Sequence, residues 1–188
     1  MTIQELINDL IRRYMLLGYY WQLFSYVITM LLSAALVPLA KRRNLAPWKC
    51  ILAVLLIFYM TTVFVATVLA RGPVIGDSVR LSLFWSWRKA LRGSKYIRRL
   101  ILENIIMLMP VGFLLPLIDQ RAFTAVRTVF IGFLFSLVIE TSQYFMKTGL
   151  FEADDILHNT VGTLIGYIIS KLLIKSLRKI KKALLRDT

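Results

Sequence analysis

The sequence of 188 residues contains only one cysteine and only one histidine, and this scarcity excludes several kinds of site. Cys50 has no second cysteine with which to form an internal disulfide, and neither a cysteine-based metal site nor zinc-finger spacing is present. Acidic residues are also few, because 10 Asp and Glu stand against 24 Lys and Arg, which gives a net charge of +14. No nucleic-acid-binding motif accompanies this positive charge, so we expect no nucleic acid partner.

Charge is absent or rare in five long parts of the chain. Residues 17–40 and 50–70 contain no charged residue, and the apolar runs at residues 100–118, 122–145 and 156–174 contain very few. A helix needs about 20 apolar residues to cross the hydrocarbon core of a bilayer. The sequence therefore predicts an all-α, polytopic integral membrane bundle of about five transmembrane helices, with no room for a separate soluble domain.

These runs divide the chain into four parts. Residues 1–16 have apolar side chains at helical spacing and no secretion-signal pattern, which predicts an amphipathic helix at the membrane interface or a cap on the bundle. Residues 17–49 are expected to form an additional N-terminal transmembrane helix and a basic loop. Residues 50–170 form the main membrane domain, and residues 171–188 form a basic tail.

The orientation is predicted from Lys and Arg in the short loops. The loop at residues 41–49 and the tail lie on one side of the membrane, and the loops at residues 71–99 and 146–153 lie on the other. The two sides are nearly equal in basic residues, but the rule is most reliable for short loops, and the chain around residues 152–155 is acidic. We therefore expect the N-terminus outside and the C-terminus in the cytoplasm. The aromatic and apolar segment at residues 81–87 is too short to span and is expected at headgroup level.

Polar side chains in or beside the apolar runs converge on one predicted membrane face. Helices that alternate in direction place eight of them there. They are Arg71, Asn104, Glu140, Gln143, Asp154, Asp155, His158 and Asn159. An ionisable residue at the centre of a membrane helix costs about 2.5–3.5 kcal/mol on insertion scales, so these residues are candidates for ligand binding. Alternatively, Asp154 and Asp155 complement the dipole of their own helix, and Glu140 forms a structural hydrogen bond between helices.

Four further residues are predicted to have structural roles. Pro110, two residues before Gly112, removes a backbone hydrogen bond within the third long run, so a bend there would either open a cavity beside Asn104 or simply improve packing. Gly162 and Gly166 are four residues apart on one helix face, and such a pair lets two helix backbones approach closely.

Three motifs resemble those of the VanZ-like membrane proteins, over about residues 50–170. They are Asn104-x5-Pro110-x-Gly112, Glu140-x2-Gln143 and Asp155-x3-Asn159-x2-Gly162. The family's namesake is associated with resistance to glycopeptide antibiotics of the teicoplanin type. The resemblance therefore implies an envelope protein of a Gram-positive bacterium that lowers sensitivity to lipoglycopeptides. An arginine that many members carry shortly after the fourth helix is missing here, so Arg71 or another residue of the 71–99 loop would take its place.

Three functions are compatible with the polar cluster. The first is a non-catalytic protein that binds an anionic amphiphile at the outer face, such as a lipid-linked wall precursor, a phospholipid or the lipidated glycopeptide. The second is an intramembrane enzyme acting on a lipid-linked phosphate through its carboxylates, or through Mg²⁺ held with His158, although no nucleophile with a paired base is present. The third is a small-molecule transporter, for which internal repeats and a midplane charge are missing. No reaction or cofactor is predicted.

Overall fold

The computed structural model describes residues 20–21, 23–35, 46–74 and 79–185. Six α-helices and two short strands lie in these ranges. They are α1 (Leu23–Ala35), α2 (Pro47–Phe64, continued by a π-helical turn at Val65–Leu69), β1 (Val79–Arg80), α3 (Trp85–Leu91), α4 (Lys95–Ile118), α5 (Ala125–Phe145), β2 (Phe151–Glu152) and α6 (Ala153–Leu184). The amphipathic helix predicted at residues 1–16 lies outside the described residues.

Four of the helices are long and apolar enough to cross a membrane, namely α2 with its π-helical turn, α4, α5 and α6. Their outer faces expose large apolar side chains such as Leu102, Ile106 and Val138, as contact with lipid requires. The prediction of an all-α membrane bundle is confirmed. Helix α1 is apolar but shorter, and the remainder of the predicted first span lies outside the described residues.

Two helices extend beyond their predicted bounds. Helix α4 begins at Lys95 rather than at residue 100, because the Ser94 hydroxyl caps it by accepting a hydrogen bond from the backbone N–H of Ile97. Helix α6 continues through the basic tail as far as Leu184. Its 32 residues span about 48 Å at 1.5 Å per residue, which exceeds the hydrocarbon thickness of about 30 Å. The charged end of α6 therefore projects beyond the apolar part of the bundle.

Glycines bring the backbones of α4 and α6 into direct contact. A Cβ atom on Gly162 would overlap the carbonyl oxygen of Ile105, and one on Gly166 would overlap that of Met109. In the reverse direction, a Cβ atom on Gly112 would overlap the carbonyl oxygen of Thr163. These contacts fix the middle of α4 beside the first half of α6.

Helix α4 contains Pro110 without being interrupted. Proline has no N–H to donate, which weakens the hydrogen bonding of the preceding turn. The hydroxyl of Tyr59 donates to the carbonyl of Met107 in that turn, with an O–O distance of 2.6 Å. The carbonyl that loses its donor to Pro110 is that of Ile106, so the Tyr59 hydroxyl bonds to the adjacent carbonyl of the same turn and joins α2 to this part of α4.

The two loops at residues 70–84 and 146–152 are joined to each other. Strands β1 and β2 pair in parallel, and the backbone N–H of Val74 donates to the carbonyl of Lys147 at 2.7 Å. Both loops therefore lie at one end of the bundle. The loop between α4 and α5 lies at the other end, together with the start of α2 and the end of α6.

Candidate functional site

A cavity of about 800 Å³, which we call the polar cavity, lies at the end of the bundle formed by the two joined loops. Its wall comprises the first half of α4, the start of α3, the residues after α2, the end of α5, the 148–152 loop and the start of α6. Five of the eight predicted site residues line it. They are Arg71, Asn104, Gln143, Asp155 and His158. Apolar side chains of α4, including Leu100, Ile101 and Met107, complete the wall.

Asp154 does not line the polar cavity, because it is fully buried and holds the start of α3. Its carboxylate accepts hydrogen bonds from the backbone N–H of Phe84 (2.5 Å), the backbone N–H of Ser86 (2.9 Å) and the Ser86 hydroxyl (2.5 Å). Phe84, the N-cap residue of α3, has a φ of 61° and a side chain that cannot accept a hydrogen bond, and the first turn of α3 has no acidic residue. Asp154 thus caps a helix that lies about 70 positions earlier in the chain.

Glu140 and Asn159 are also buried behind the cavity wall. The carboxylate of Glu140 accepts a hydrogen bond from the backbone N–H of Glu152 at 3.0 Å, so the end of α5 holds the residue that precedes α6. The amide nitrogen of Asn159 donates to the Ser136 hydroxyl at 2.8 Å, which joins α6 to the middle of α5. These two hydrogen bonds fix α5, residue 152 and α6 relative to one another around the polar cavity.

Gln143 lines the polar cavity and also fixes the end of α2. Its amide nitrogen donates to the carbonyl of Thr67 at 2.9 Å, inside the π-helical turn. Such turns are frequent at functional sites, because they change the direction of a helix locally. On its other side Gln143 packs against Gly149, where an added Cβ would lie 3.0 Å from the amide oxygen. Gln143 therefore positions the chain that leads into Arg71.

Three side chains that line the polar cavity have buried polar atoms without a hydrogen-bond partner among the described residues. They are both ring nitrogens of His158, Nε1 of Trp85 and Oγ1 of Thr148. The His158 ring is 1% exposed, and its Nδ1 lies 3.8 Å from a carboxylate oxygen of Asp155. A buried polar group without a partner costs about 1–3 kcal/mol. These atoms are therefore the donors and acceptors best placed to meet a polar ligand.

The charge of the polar cavity is mixed. Arg71 contributes a cation, whereas Glu103, Glu152 and Asp155 contribute carboxylates. Glu152 forms an ion pair with Arg80, with an N–O distance of 3.0 Å. Burial raises the pKa of Glu152 above its ordinary value of 4.5, and the nearby Asp155 raises it further, while Arg80 opposes the shift. A hydrogen-bond donor such as a hydroxyl or amide group would be favoured on this side of the cavity, where the carboxylate of Asp155 is not paired with a Lys or Arg among the described residues.

Several residues of the site were not predicted from the sequence. They are Arg80, Trp85, Ser86, Thr148 and Glu152. The opposite charges of Arg80 and Glu152, in two loops at one end of the bundle, were a usable signal. The guanidinium of Arg80 also lies 4.2 Å from the centre of the Trp85 ring, a contact that has no signal in the sequence. The described residues contain no group of three or more His, Cys, Asp or Glu placed to hold a metal ion.

The fold and the polar cavity together define a polytopic α-helical membrane protein with a polar cavity at one end of its helical bundle. The family model described as VanZ/LLP1 matches residues 48–174, which is more than half of the chain. The chain therefore belongs to the VanZ/LLP1 family, and the resemblance seen in the three sequence motifs is confirmed. No curated protein and no solved structure matches the chain.

Proposed function

We propose that this VanZ-like membrane protein binds an amphiphile bearing an anionic group at the outer face of a Gram-positive cell membrane. We further propose that binding lowers sensitivity to lipoglycopeptide antibiotics of the teicoplanin type. The observation that carries the proposal is the polar cavity, which combines an apolar wall from α4 with polar groups from the elements around it. The candidate ligands are a lipid-linked wall precursor, a phospholipid or the lipidated glycopeptide itself.

Each part of such a ligand has a matching part of the polar cavity. Arg71 would bind the anionic group through charge-assisted hydrogen bonds. Asn104 and Asp155 would bind neighbouring hydroxyl, amide or ammonium groups, and the apolar residues of α4 would contact the acyl part. Among the lining residues, Glu152 is paired with Arg80 and Glu103 with Arg99, which leaves the cation Arg71 and the carboxylate Asp155. A headgroup with one anionic group therefore fits better than a multiply anionic one.

The proposed orientation places the C-terminus in the cytoplasm and the polar cavity outside. Lys49, at the start of α2, and the basic end of α6 lie at the end of the bundle opposite the polar cavity. The Lys/Arg rule puts such basic segments in the cytoplasm. In this orientation the cavity opens at the level where an amphiphilic antibiotic or a wall precursor enters the outer leaflet.

Antibiotic susceptibility tests the proposal directly. A Gram-positive host without a related protein would express the wild type, Arg71→Gln or Asn104→Ala, and the inhibitory concentrations of teicoplanin and vancomycin would be measured. The wild type should reduce teicoplanin sensitivity, both cavity variants should lose the effect, and vancomycin should respond less because it lacks the lipid tail.

The matched control is Thr62→Ala, which also removes a polar group from a spanning helix. Among the described residues, the Thr62 hydroxyl bonds only to the carbonyl of Phe58 in its own helix, and it does not line the polar cavity. This variant should retain the wild-type effect at equal membrane abundance. A wild-type protein that changes sensitivity to neither drug would refute the resistance role.

A second candidate function, catalysis on a lipid-linked phosphate, is favoured by the pairing of His158 with Asp155. A ring nitrogen 3.8 Å from a carboxylate inside a cavity is an arrangement from which general acid and base catalysis can develop once substrate is bound. The test is turnover of labelled lipid phosphates by purified protein, with and without divalent cations. Turnover that disappears in both His158→Gln and Asp155→Asn supports the enzyme, whereas binding without turnover supports the first function.

A further inference from the structure

Two adjacent basic cavities lie at the end of the bundle opposite the polar cavity, with volumes of about 470 and 450 Å³. They share two lining residues, Gln120 in the α4–α5 loop and Arg178 in α6. The first cavity also contains Lys49 and Arg121. The second also contains four lysines of α6, namely Lys171, Lys175, Lys179 and Lys182. We call them the first and second basic cavities.

Arg178 lies between the two basic cavities and is held in place. One of its terminal nitrogens donates to the amide oxygen of Gln120 at 2.5 Å, which joins the extension of α6 to the α4–α5 loop. A guanidinium has five N–H donors, so Arg178 retains donors for anions on either side of this hydrogen bond. The two cavities are therefore separated by a side chain that is itself a cation, Arg178.

The one acidic residue that lines the basic cavities is already engaged. The carboxylate of Asp119 accepts hydrogen bonds from the backbone N–H groups of Ala122 (3.2 Å) and Arg121 (2.8 Å), which lower its pKa. This carboxylate serves the turn after α4. Neither basic cavity has another carboxylate among the residues that line it, so both attract anions.

The residues around the basic cavities are those typical of the headgroup level of a membrane. Lys171 and the cations after it follow the apolar part of α6, and Trp48 marks the start of α2 as an interfacial aromatic residue. Leu117 and Ile118, at the apolar end of α4, line the first cavity, and Ile174 lines the second. An anion bound here could thus have acyl chains that run along α4 and α6 into the bilayer.

We propose that the two basic cavities together bind one phospholipid with two phosphates, of the cardiolipin class, with one phosphate in each cavity and Arg178 between them. Each cavity has at least three cations when Arg178 is counted for both, whereas one phosphate would fill only one cavity. Two phosphates joined in one molecule gain from a high effective concentration of the second once the first is bound. Basic pockets of this kind at membrane faces are suited to such headgroups. This site is independent of the function proposed for the polar cavity.

The test compares cardiolipin with phosphatidylglycerol at equal phosphate concentration. Native mass spectrometry of the purified full-length protein would measure the affinity of each lipid. Cardiolipin should bind at least about tenfold more tightly than phosphatidylglycerol, and Arg178→Gln should weaken cardiolipin binding about tenfold or more, the effect of losing one charge-assisted contact. Lys175→Gln, which changes only the second cavity, should also reduce the preference for cardiolipin.

The matched control is Arg98→Gln, which changes the net charge equally. Arg98 is exposed in the first turn of α4, at the polar-cavity end, and lines neither basic cavity. It should leave cardiolipin affinity unchanged. Equal affinities for the two lipids, or an equal loss in Arg98→Gln and Arg178→Gln, would overturn the proposal and reduce the interaction to general attraction between a basic protein and anionic lipid.

Discussion

The carboxylate of Asp154, in the first turn of α6, accepts hydrogen bonds from both the backbone N–H and the hydroxyl of Ser86. The next residue, Asp155, has a side chain that is 34% exposed and lines the polar cavity. Two adjacent carboxylates therefore differ in role. Asp154 fixes the segment between α2 and α4 on the bundle, whereas Asp155 is available to a ligand.

This difference predicts unequal effects of two neighbouring substitutions. Asp154→Ala removes the acceptor of the Phe84 N–H and of both donors of the buried Ser86, and it should lower the free energy of unfolding by about 2–3 kcal/mol. Asp155→Ala, at a partly exposed position, should lower it by less than about 1 kcal/mol. Thermal or denaturant unfolding of the purified variants in detergent measures both. Equal losses would show that Asp154 does not hold α3.

The contact between α4 and α6 predicts a steric effect at Gly162. An added Cβ would overlap the carbonyl oxygen of Ile105, so Gly162→Ala should force the helices apart and cost about 1–3 kcal/mol in the free energy of unfolding. Gly72→Ala is the matched control, because nothing lies within 4 Å of the Cβ it would add. The same unfolding assay applies, and a Gly162 variant as stable as the control would contradict the close packing.

The raised pKa of Glu152 predicts a dependence of stability on pH. Burial makes the protonated form more favourable in the folded state than in the unfolded state, so folding takes up a proton between the two pKa values. The stabilisation is fully present below the ordinary value of 4.5 and is lost as the pH rises through the higher pKa of the folded state. Unfolding measured across this range should show the decline in wild type and a smaller one in Glu152→Gln. Parallel curves for the two proteins would assign the decline to other groups.

The proposed topology predicts the result of two reporter fusions. A reporter inserted at Gly93, in the turn between α3 and α4, should signal the exterior, and one fused after Thr188 should signal the cytoplasm. Alkaline phosphatase and a fluorescent protein that matures only in the cytoplasm give opposite readings. The reverse pair of signals would move the polar cavity to the cytoplasmic face and remove direct contact with an external antibiotic.

The membrane-spanning helices and five residues of the polar cavity could be predicted because the bilayer imposes simple patterns on a sequence. Backbone groups in hydrocarbon must bond within a helix, so apolar run length gives the helices. Fixed helical spacing then places Gln143 and Asp155 at one end, and both line the polar cavity. Gly162 and Gly166 stand on the helix face that their spacing indicates, and both contact α4.

The other contacts of the site are made by loops, whose sequences have no regular spacing of apolar residues. Residues 84–86 contact Asp154 because β1 pairs with β2 and so holds this part of the chain at the end of the bundle. Strands of only two residues leave no recognisable pattern in a sequence. The partner of Glu140 is a backbone N–H group, which every residue except proline has. Sequence patterns therefore identified these acceptors without identifying their donors.

Recognition of main-chain groups has an evolutionary consequence for the segment between α2 and α4. Glu140 binds the N–H of residue 152 and Asp154 binds the N–H of residue 84, so neither bond depends on the side chain of the donor residue. Substitutions at residues 84 and 152 can preserve the hydrogen bonds unless they introduce proline. The two acceptors, in contrast, must keep a side chain that can accept a hydrogen bond. The rim of the polar cavity can therefore diversify in shape and chemistry while its anchoring to the bundle stays the same.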